Sequence, residues 1–237
     1  MWAIFEDFRD WVSKVTKGEP WDLVMNGDAL DGVHHGSVTQ VSHNLEDQQR
    51  LAIAALSPLV GDCKASGGAY YHVRGTEAHV GKSAQEEERL AKALGAIPND
   101  EAQHARWELW KRIGPGKGHL VHAIHHIGST GSQAYESTAV HKEMVECFVE
   151  AGRWGDEPPQ VIVRSHRHRA FETRIAVADG YGIAVVTPAW QLRTPFSYKI
   201  PGARVSQPQI GGVLIRSGDE ELHSRMFVRR IGRPKEE

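Results

Sequence analysis

A chain of 237 residues, with 40% hydrophobic and 24% charged side chains, can bury a substantial core and has the make-up of a soluble globular domain. Its 28 Lys and Arg stand against 30 Asp and Glu, a net charge of −2. That balance excludes the basic footprint of a protein that lives on phosphate-backbone contacts, and the short apolar runs exclude a transmembrane helix.

The chain opens on Met1 to Asp7, where acids replace the basic start and apolar run of a signal peptide. Apolar residues from Trp2 to Val15 recur at helical spacing and predict an amphipathic helix over residues 2 to 17, stopped by Gly18 and Pro20. Trp21 to Met25 reads as a buried strand ending at Asn26-Gly27-Asp28. Asn44 is expected to cap a second helix whose inner face is Leu51, Ala55, Leu56 and Leu59. A strand follows from Ala69 to Val73, and Ser83 with Glu86 forms a capping box opening a helix to about Leu94.

Gly118 to Ile124 predicts another strand, and Glu136 to Val149 a helix with Val140, Met144, Val145 and Phe148 inward. Pro158-Pro159 leads into the strand Val161 to Val163. Four β runs then follow, 174–177, 182–186, 213–216 and 226–230, separated by turns such as Asp179-Gly180 and Ser217-Gly218-Asp219. Alternating strand and helix before a β-rich tail predicts an α/β layered fold, one sheet being continued by antiparallel strands. No linker or repeat appears, so residues 1–237 read as a single domain. Cys63 and Cys147 are too few for a disulfide framework and read as buried thiols of a cytoplasmic protein.

Histidine is the outlying residue, with 14 in the chain and ten of them between His72 and His168. Four apolar strands each end in a polar cluster: Gly27-Asp28 with His34-His35 behind it, Arg74 to His79, His125-His126, and Ser165 to His168. Open α/β sheets bind ligands beyond the carboxyl ends of their strands. If the strands are parallel neighbours, one rim gathers Asp28, His79, His125, His166 and His168. A carboxylate with several imidazoles suits zinc, iron, nickel or manganese.

Each member alone has a plainer reading. Gly-Asp after a strand is usually a turn, and His125-His126 reads as one packed and one solvated imidazole. His166 and His168, two apart on extended chain, point the same way and can address neighbouring metals. Arg164, Arg167 and Arg169 form either a solvated basic rim or a contact for an anionic substrate. His72, His119 and His122 read as structural or surface residues, and His104, His141 and His223 carry no assignment.

The ordered set Gly27-Asp28, Gly75 to His79, His125-His126 and His166-Arg167-His168 resembles the calcineurin-like metallophosphoesterases over residues 21 to about 188, most of all their phage and prophage variants. The resemblance implies a four-layer α/β/β/α sandwich with a dinuclear metal centre hydrolysing a phosphate mono- or diester. Asp28 would bridge both metals, His125 and His166 would bind one, and His168 the other. His79 would be the catalytic imidazole that meets the phosphate, with Thr76 or Glu77 in place of the family's Asn. The implied cofactor would be a pair of divalent ions among Mn, Fe, Zn and Ni, and the implied substrate a phosphate ester, nucleotides and nucleic acids included.

The family's opening Asp-x-His motif has no match before Gly27, so one metal position keeps only Asp28 and His168. Either the start was placed late, or the chain is trimmed, or that half-site is lost, and near one metal per protomer is expected. A catalytically impaired relic, acting as a binding or assembly subunit, is the alternative. A nucleic-acid binder using the arginines of the tail is a weaker third, opposed by the near-neutral charge.

Overall fold

The computed structural model describes residues 1–34, 38–81, 83–128, 133–178, 180–195, 197–199, 206–218 and 222–232. Among the described residues the chain is mixed α/β, with helices and strands in three sheets and no barrel. It divides into two compact units. The N-terminal unit holds Arg9–Glu108 and Ile124–His126, and the C-terminal unit holds Met1–Phe8, Leu109–Ala123 and Ile127–Glu237.

In the N-terminal unit, β1 (Leu23–Asn26), α2 (Leu45–Ala65) and β2 (Tyr70–Val73) make a β-α-β turn of chain in which the strands run parallel, Asn26 beside Val73. After α3 (Glu77–Val80) and α4 (Gln85–Ala93), the two-residue β3 (Ala105–Arg106) pairs parallel with the far side of β2. Parallel pairing makes the chain leave β1 and β2 at the same edge, so Gly27-Asp28 and Arg74-Gly75-Thr76 emerge side by side. Leu30, Val60, Tyr70, Leu90, Leu94 and Ala105 form the apolar cluster beneath them.

Two helix readings are corrected here. Asn44 caps α2 as its sequence predicts, accepting from the Glu46 amide at 3.0 Å. Yet Leu51 is 52% exposed, and the buried face carries the polar Gln48 and Gln49 with Leu59, Val60 and Cys63. The glutamine amides are buried because they bond chain: Gln48 to Gly32 and Ser42, Gln49 to the Glu86 carbonyl and carboxylate. That contact also removes the expected capping box. Glu86 is held by Gln49, and α4 begins after Ala84 in the left-handed conformation (φ 53), with no side-chain cap.

Glu87 on the next position of α4 is fully buried. One carboxylate oxygen accepts the Ala29 amide at 3.0 Å and the other the Gly75 amide at 2.6 Å, with His72 Nε2 3.4 Å from the first. His72, read from the sequence as structural or surface, is structural: it is fully buried and shares a 2.7 Å hydrogen bond with the Tyr70 hydroxyl. A single acid thus ties the loops after β1 and β2 to one helix.

The C-terminal unit is built on a five-stranded sheet of order β4-β5-β6-β8-β7. Its strands are β4 (Leu109–Ile113), β5 (His119–Ala123), β6 (Val161–Arg164), β7 (Phe171–Val177) and β8 (Gly180–Val186). β5, β6 and β8 are parallel, and β4 and β7 close the edges antiparallel. Helix α5 (Glu136–Trp154) lays Val140 and Met144 on Ile162, Ala184 and Val186, with Cys147 and Phe148 partly buried beside them. Positions 140, 144, 147 and 148 make one stripe at helical spacing, and Val145, one residue off it, is 41% exposed rather than inward.

Of the four tail runs, 174–177 and 182–186 join this sheet as β7 and β8, with β7 the expected antiparallel continuation, but the last two do not. β9 (Gln209–Ser217) and β10 (Leu222–Arg230) pair with each other as a separate antiparallel ribbon, because β7 folds back on β8 and ends the larger sheet. α1 (Trp2–Thr16) starts in this unit, with the Phe8 ring edge-on to Phe227 and Trp190. No helix among the described residues is long and apolar enough to cross a membrane. Cys63 is buried, Cys147 is half-buried, and both are free thiols. Asp179, Asp219 and His35 lie outside the described residues.

Glu87→Ala strands the buried Gly75 amide and the part-buried Ala29 amide, and takes the carboxylate away from the buried His72 imidazole. The expected loss is about 3–5 kcal/mol of unfolding free energy, measured by urea denaturation. A loss under about 1 kcal/mol would show that the two loops are held without it.

Candidate metal centre

The centre of the N-terminal unit is the turn after β1. Gly27 (φ 83) and Asp28 (φ 55) both take left-handed backbone, which lifts the Asp28 carboxylate out of the strand. A Cβ on Gly27 would overlap the His125 ring, and one on Gly75 would overlap Asp28 itself. Glycine at these two positions lets both strand ends and the imidazole close on one carboxylate.

Three polar groups approach that carboxylate closely and a fourth stands off at 3.9 Å. Its Oδ1 accepts the Thr76 amide at 2.6 Å, and its Oδ2 accepts the Thr76 hydroxyl at 3.2 Å. His125 Nε2 lies 2.9 Å and His79 Nε2 3.9 Å from the same Oδ2. Of Thr76 and Glu77, Thr76 bonds the Asp28 carboxylate, and the Glu77 side chain is exposed.

The other ring nitrogens settle the tautomers. His125 Nδ1 is 2.6 Å from the Asn26 carbonyl, and His79 Nδ1 is 2.8 Å from the Asp31 carbonyl. A carbonyl only accepts, so both Nδ1 atoms carry hydrogen and both Nε2 atoms turn toward Asp28. Asn26 completes the clamp by donating its own side-chain amide to the Ile124 carbonyl at 3.1 Å. Imidazoles that ligate metals are held in this manner, one nitrogen on a main-chain carbonyl and the other facing the ion. A part-buried carboxylate with an oriented imidazole at 2.9 Å, as Asp28 and His125 present, is of the ligand type that suits a divalent cation.

Charge follows the geometry. Burial by itself would raise the Asp28 carboxyl, but the hydrogen bond and charge of His125, the charge of His79 and the Thr76 amide lower it to about 2. Burial opposes the His125 imidazolium, and the hydrogen bond and charge of Asp28 more than reverse it, so its value lies above the ordinary one. Next to it His126 is exposed, and is pushed down by partial burial and by the charge of His125. The pair is one packed and one outer imidazole.

In the C-terminal unit, β5 and β6 are parallel neighbours with Ala123 beside Val163, so the chain leaves both at the same edge. Past β6 the segment is not extended, as the spacing argument assumed. His166 (φ 64) and His168 (φ 54) are both left-handed, and the Arg167 amide bonds back to the Ser165 carbonyl at 2.7 Å. His166 is exposed and His168 half-buried. Among the described residues six non-glycines have left-handed backbone, and three of them are Asp28, His166 and His168. Such conformations cost about 1–3 kcal/mol each and concentrate at functional sites.

Of the three arginines Arg164 is no rim residue, and the other two are partly exposed and bonded within the chain. Arg164 is 1% exposed and donates to Glu143 and to the His122 carbonyl. Arg167 donates to the Gly128 carbonyl, and Arg169 pairs with Glu136 at 2.5 Å. His122 stacks flat on Trp110 at 3.9 Å, His119 meets the Ser217 hydroxyl at 2.7 Å, and His104 bonds the Ala96 carbonyl at 2.8 Å. These are structural histidines. Asn26, Glu87, Asp31 and Gln48 were missed, because each acts through a main-chain group far away in sequence. Compared with protein-family models and with curated proteins, the chain matches none.

The pair predicts a pH window for the metal-free protein. Asp28 is lowered on folding, so its contribution is present above its ordinary value of 3.8 and lost as pH falls toward about 2. His125 is raised, so its contribution is full below 6.5 and lost as pH rises through its folded value. Thermal melts in EDTA should show Asp28→Asn most destabilising near about pH 5 and much less so at about pH 9. A melting difference that does not change across that range would break the coupling.

Proposed function

We propose that the chain is a metal-dependent phosphoesterase of the calcineurin-like kind, hydrolysing a phosphate mono- or diester, with that family's four-layer α/β/β/α sandwich. The reading takes Asp28 as the shared carboxylate, His125 and His166 as ligands of one ion, and His168 as ligand of the other. The observation that carries it is the His125 ring, tied by Nδ1 to the Asn26 carbonyl with Nε2 on an ionised Asp28. That supports a cation-binding role for a carboxylate which the sequence pattern picks out independently.

Divalent ions at such a centre polarise phosphoryl oxygens and acidify water. The rest is the work of the chain's own groups. The Thr76 amide and hydroxyl hold the Asp28 carboxylate in one orientation, so no rotamer search precedes binding. His79, its Nδ1–H fixed on the Asp31 carbonyl, presents Nε2 next to Asp28. A protonated Nε2 there donates to a phosphate oxygen or to the departing one. Nucleotides and nucleic acids fall within the ester class this reading admits.

An aryl phosphate monoester and its diester, assayed with and without Mn²⁺, test the reading. Hydrolysis should need the ion, and Asp28→Ala should reduce it by about 10³-fold or more, while Arg167→Ala costs under about tenfold. Activity that survives chelation would overturn the proposal. Silence of the metal-loaded protein on both esters would leave a binding or assembly subunit instead.

A further inference from the structure

Behind Asp28 the same loop carries a second group of ligand-type side chains. Asp31, His34 and His79 each offer an atom within 4.8 Å of the others, all inside the N-terminal unit. His34 Nε2 lies 3.5 Å from Asp31 Oδ1, and the His34 and His79 rings meet edge to face at 4.3 Å. Ligands on a tetrahedral ion with bonds of about 2.0–2.1 Å are about 3.3–3.5 Å apart, so one edge of that polyhedron is already formed. The remaining edges are no longer than 4.8 Å, so closing them takes up to about 1.5 Å of side-chain movement.

The group is held in place. Gly32, between Asp31 and His34, has φ +72, and a Cβ there would overlap the His79 backbone, so the loop lies directly on α3. Buried Gln48 pins it from below, accepting the Gly32 amide at 2.8 Å and donating to the Gly32 carbonyl at 3.0 Å. The Asp31 carbonyl orients His79 through Nδ1, the outer-shell device that His125 shows at Asn26.

We propose that Asp31, His34 and His79 form a zinc site separate from the Asp28–His125 centre. Two imidazoles and a carboxylate with a fourth position open to water are a normal zinc ligand set, and nitrogen donors favour zinc over magnesium or calcium. The site takes its ligands from the loop after β1 and from α3, none of them from the segment before Gly27. It therefore raises the expected stoichiometry above the single metal that the sequence implied. Occupation commits the His79 ring as a ligand and withdraws it from the phosphate, so zinc here is inhibitory. That consequence rests on the phosphoesterase reading, whereas the binding does not.

The test removes the first centre and counts what is left. Chelator-stripped full-length Asp28→Ala is titrated with Zn²⁺ against a chromophoric chelator, with Co²⁺ absorption reporting a tetrahedral site. One ion per chain should bind, and adding Asp31→Asn or His34→Ala should weaken it at least about tenfold. Circular dichroism checks the fold; His125→Ala replaces Asp28→Ala, and His34→Gln replaces His34→Ala, where either is unfolded. A background variant that binds no zinc, or binds it undiminished after both second substitutions, overturns the site. In the wild-type chain, zinc inhibition of ester hydrolysis should be relieved by His34→Ala. Absence of any hydrolysis would count against the phosphoesterase reading alone, since zinc binding is measured without turnover.

Discussion

The hydrogen bond from His125 Nδ1 to the Asn26 carbonyl decides which imidazole nitrogen meets Asp28. Without it the ring is free to flip, and the carboxylate faces whichever nitrogen thermal motion supplies. With it, Nε2 is delivered to 2.9 Å from Oδ2 in one orientation. An ionised carboxylate cannot donate, so in the absence of a cation a proton must sit on Nε2. That proton takes the place of an ion, which accounts for an imidazole raised and a carboxyl lowered in the same pair. A cation bound there would compete with that proton for a single geometry.

Around this pair the N-terminal unit uses buried polar side chains where a simpler fold would use apolar ones. Glu87 binds the amides of Ala29 and Gly75, and Gln48 binds Gly32 and Ser42. Both act on loops whose main-chain groups have no strand partner. A buried amide left unbonded costs about 1–3 kcal/mol, so these contacts suppress the alternatives the loops would otherwise sample. The reward is a carboxylate, two imidazoles and a threonine whose positions are set before any ligand arrives.

Backbone strain falls in the same places. Asp28, His166 and His168 all hold left-handed conformations that favour glycine, although each carries a side chain suited to ligation. A turn that only reversed the chain would be served by glycine or asparagine with less strain. The two units thus share a device at their strand ends, reached through different loops.

Much of the site was legible in the sequence because its signals are local. Strand, turn and histidine sit within a few residues of one another in Gly27-Asp28, in His125-His126 and in Ser165 to His168, and the Asn44 cap is read from its own helix. Position after a strand is a property of chain order, and it singled out Asp28 and His125, which the fold brings to 2.9 Å of one another. Whatever depended on distant partners was decided only by the tertiary structure. Leu51 and Val145 look like core by type, but burial follows which face meets a neighbour, and Gln48 and Gln49 take that face in α2. Ser83 and Glu86 match a capping box until Gln49, 37 residues away, claims the glutamate. Arg164 looks like surface charge until α5 brings Glu143 over it. β3 was passed over, since two residues hold too little periodicity to read, and they form a strand only because β2 offers open hydrogen-bonding groups. Local order is written in residue type and spacing, while pairing and burial belong to groups that meet only after the chain has folded.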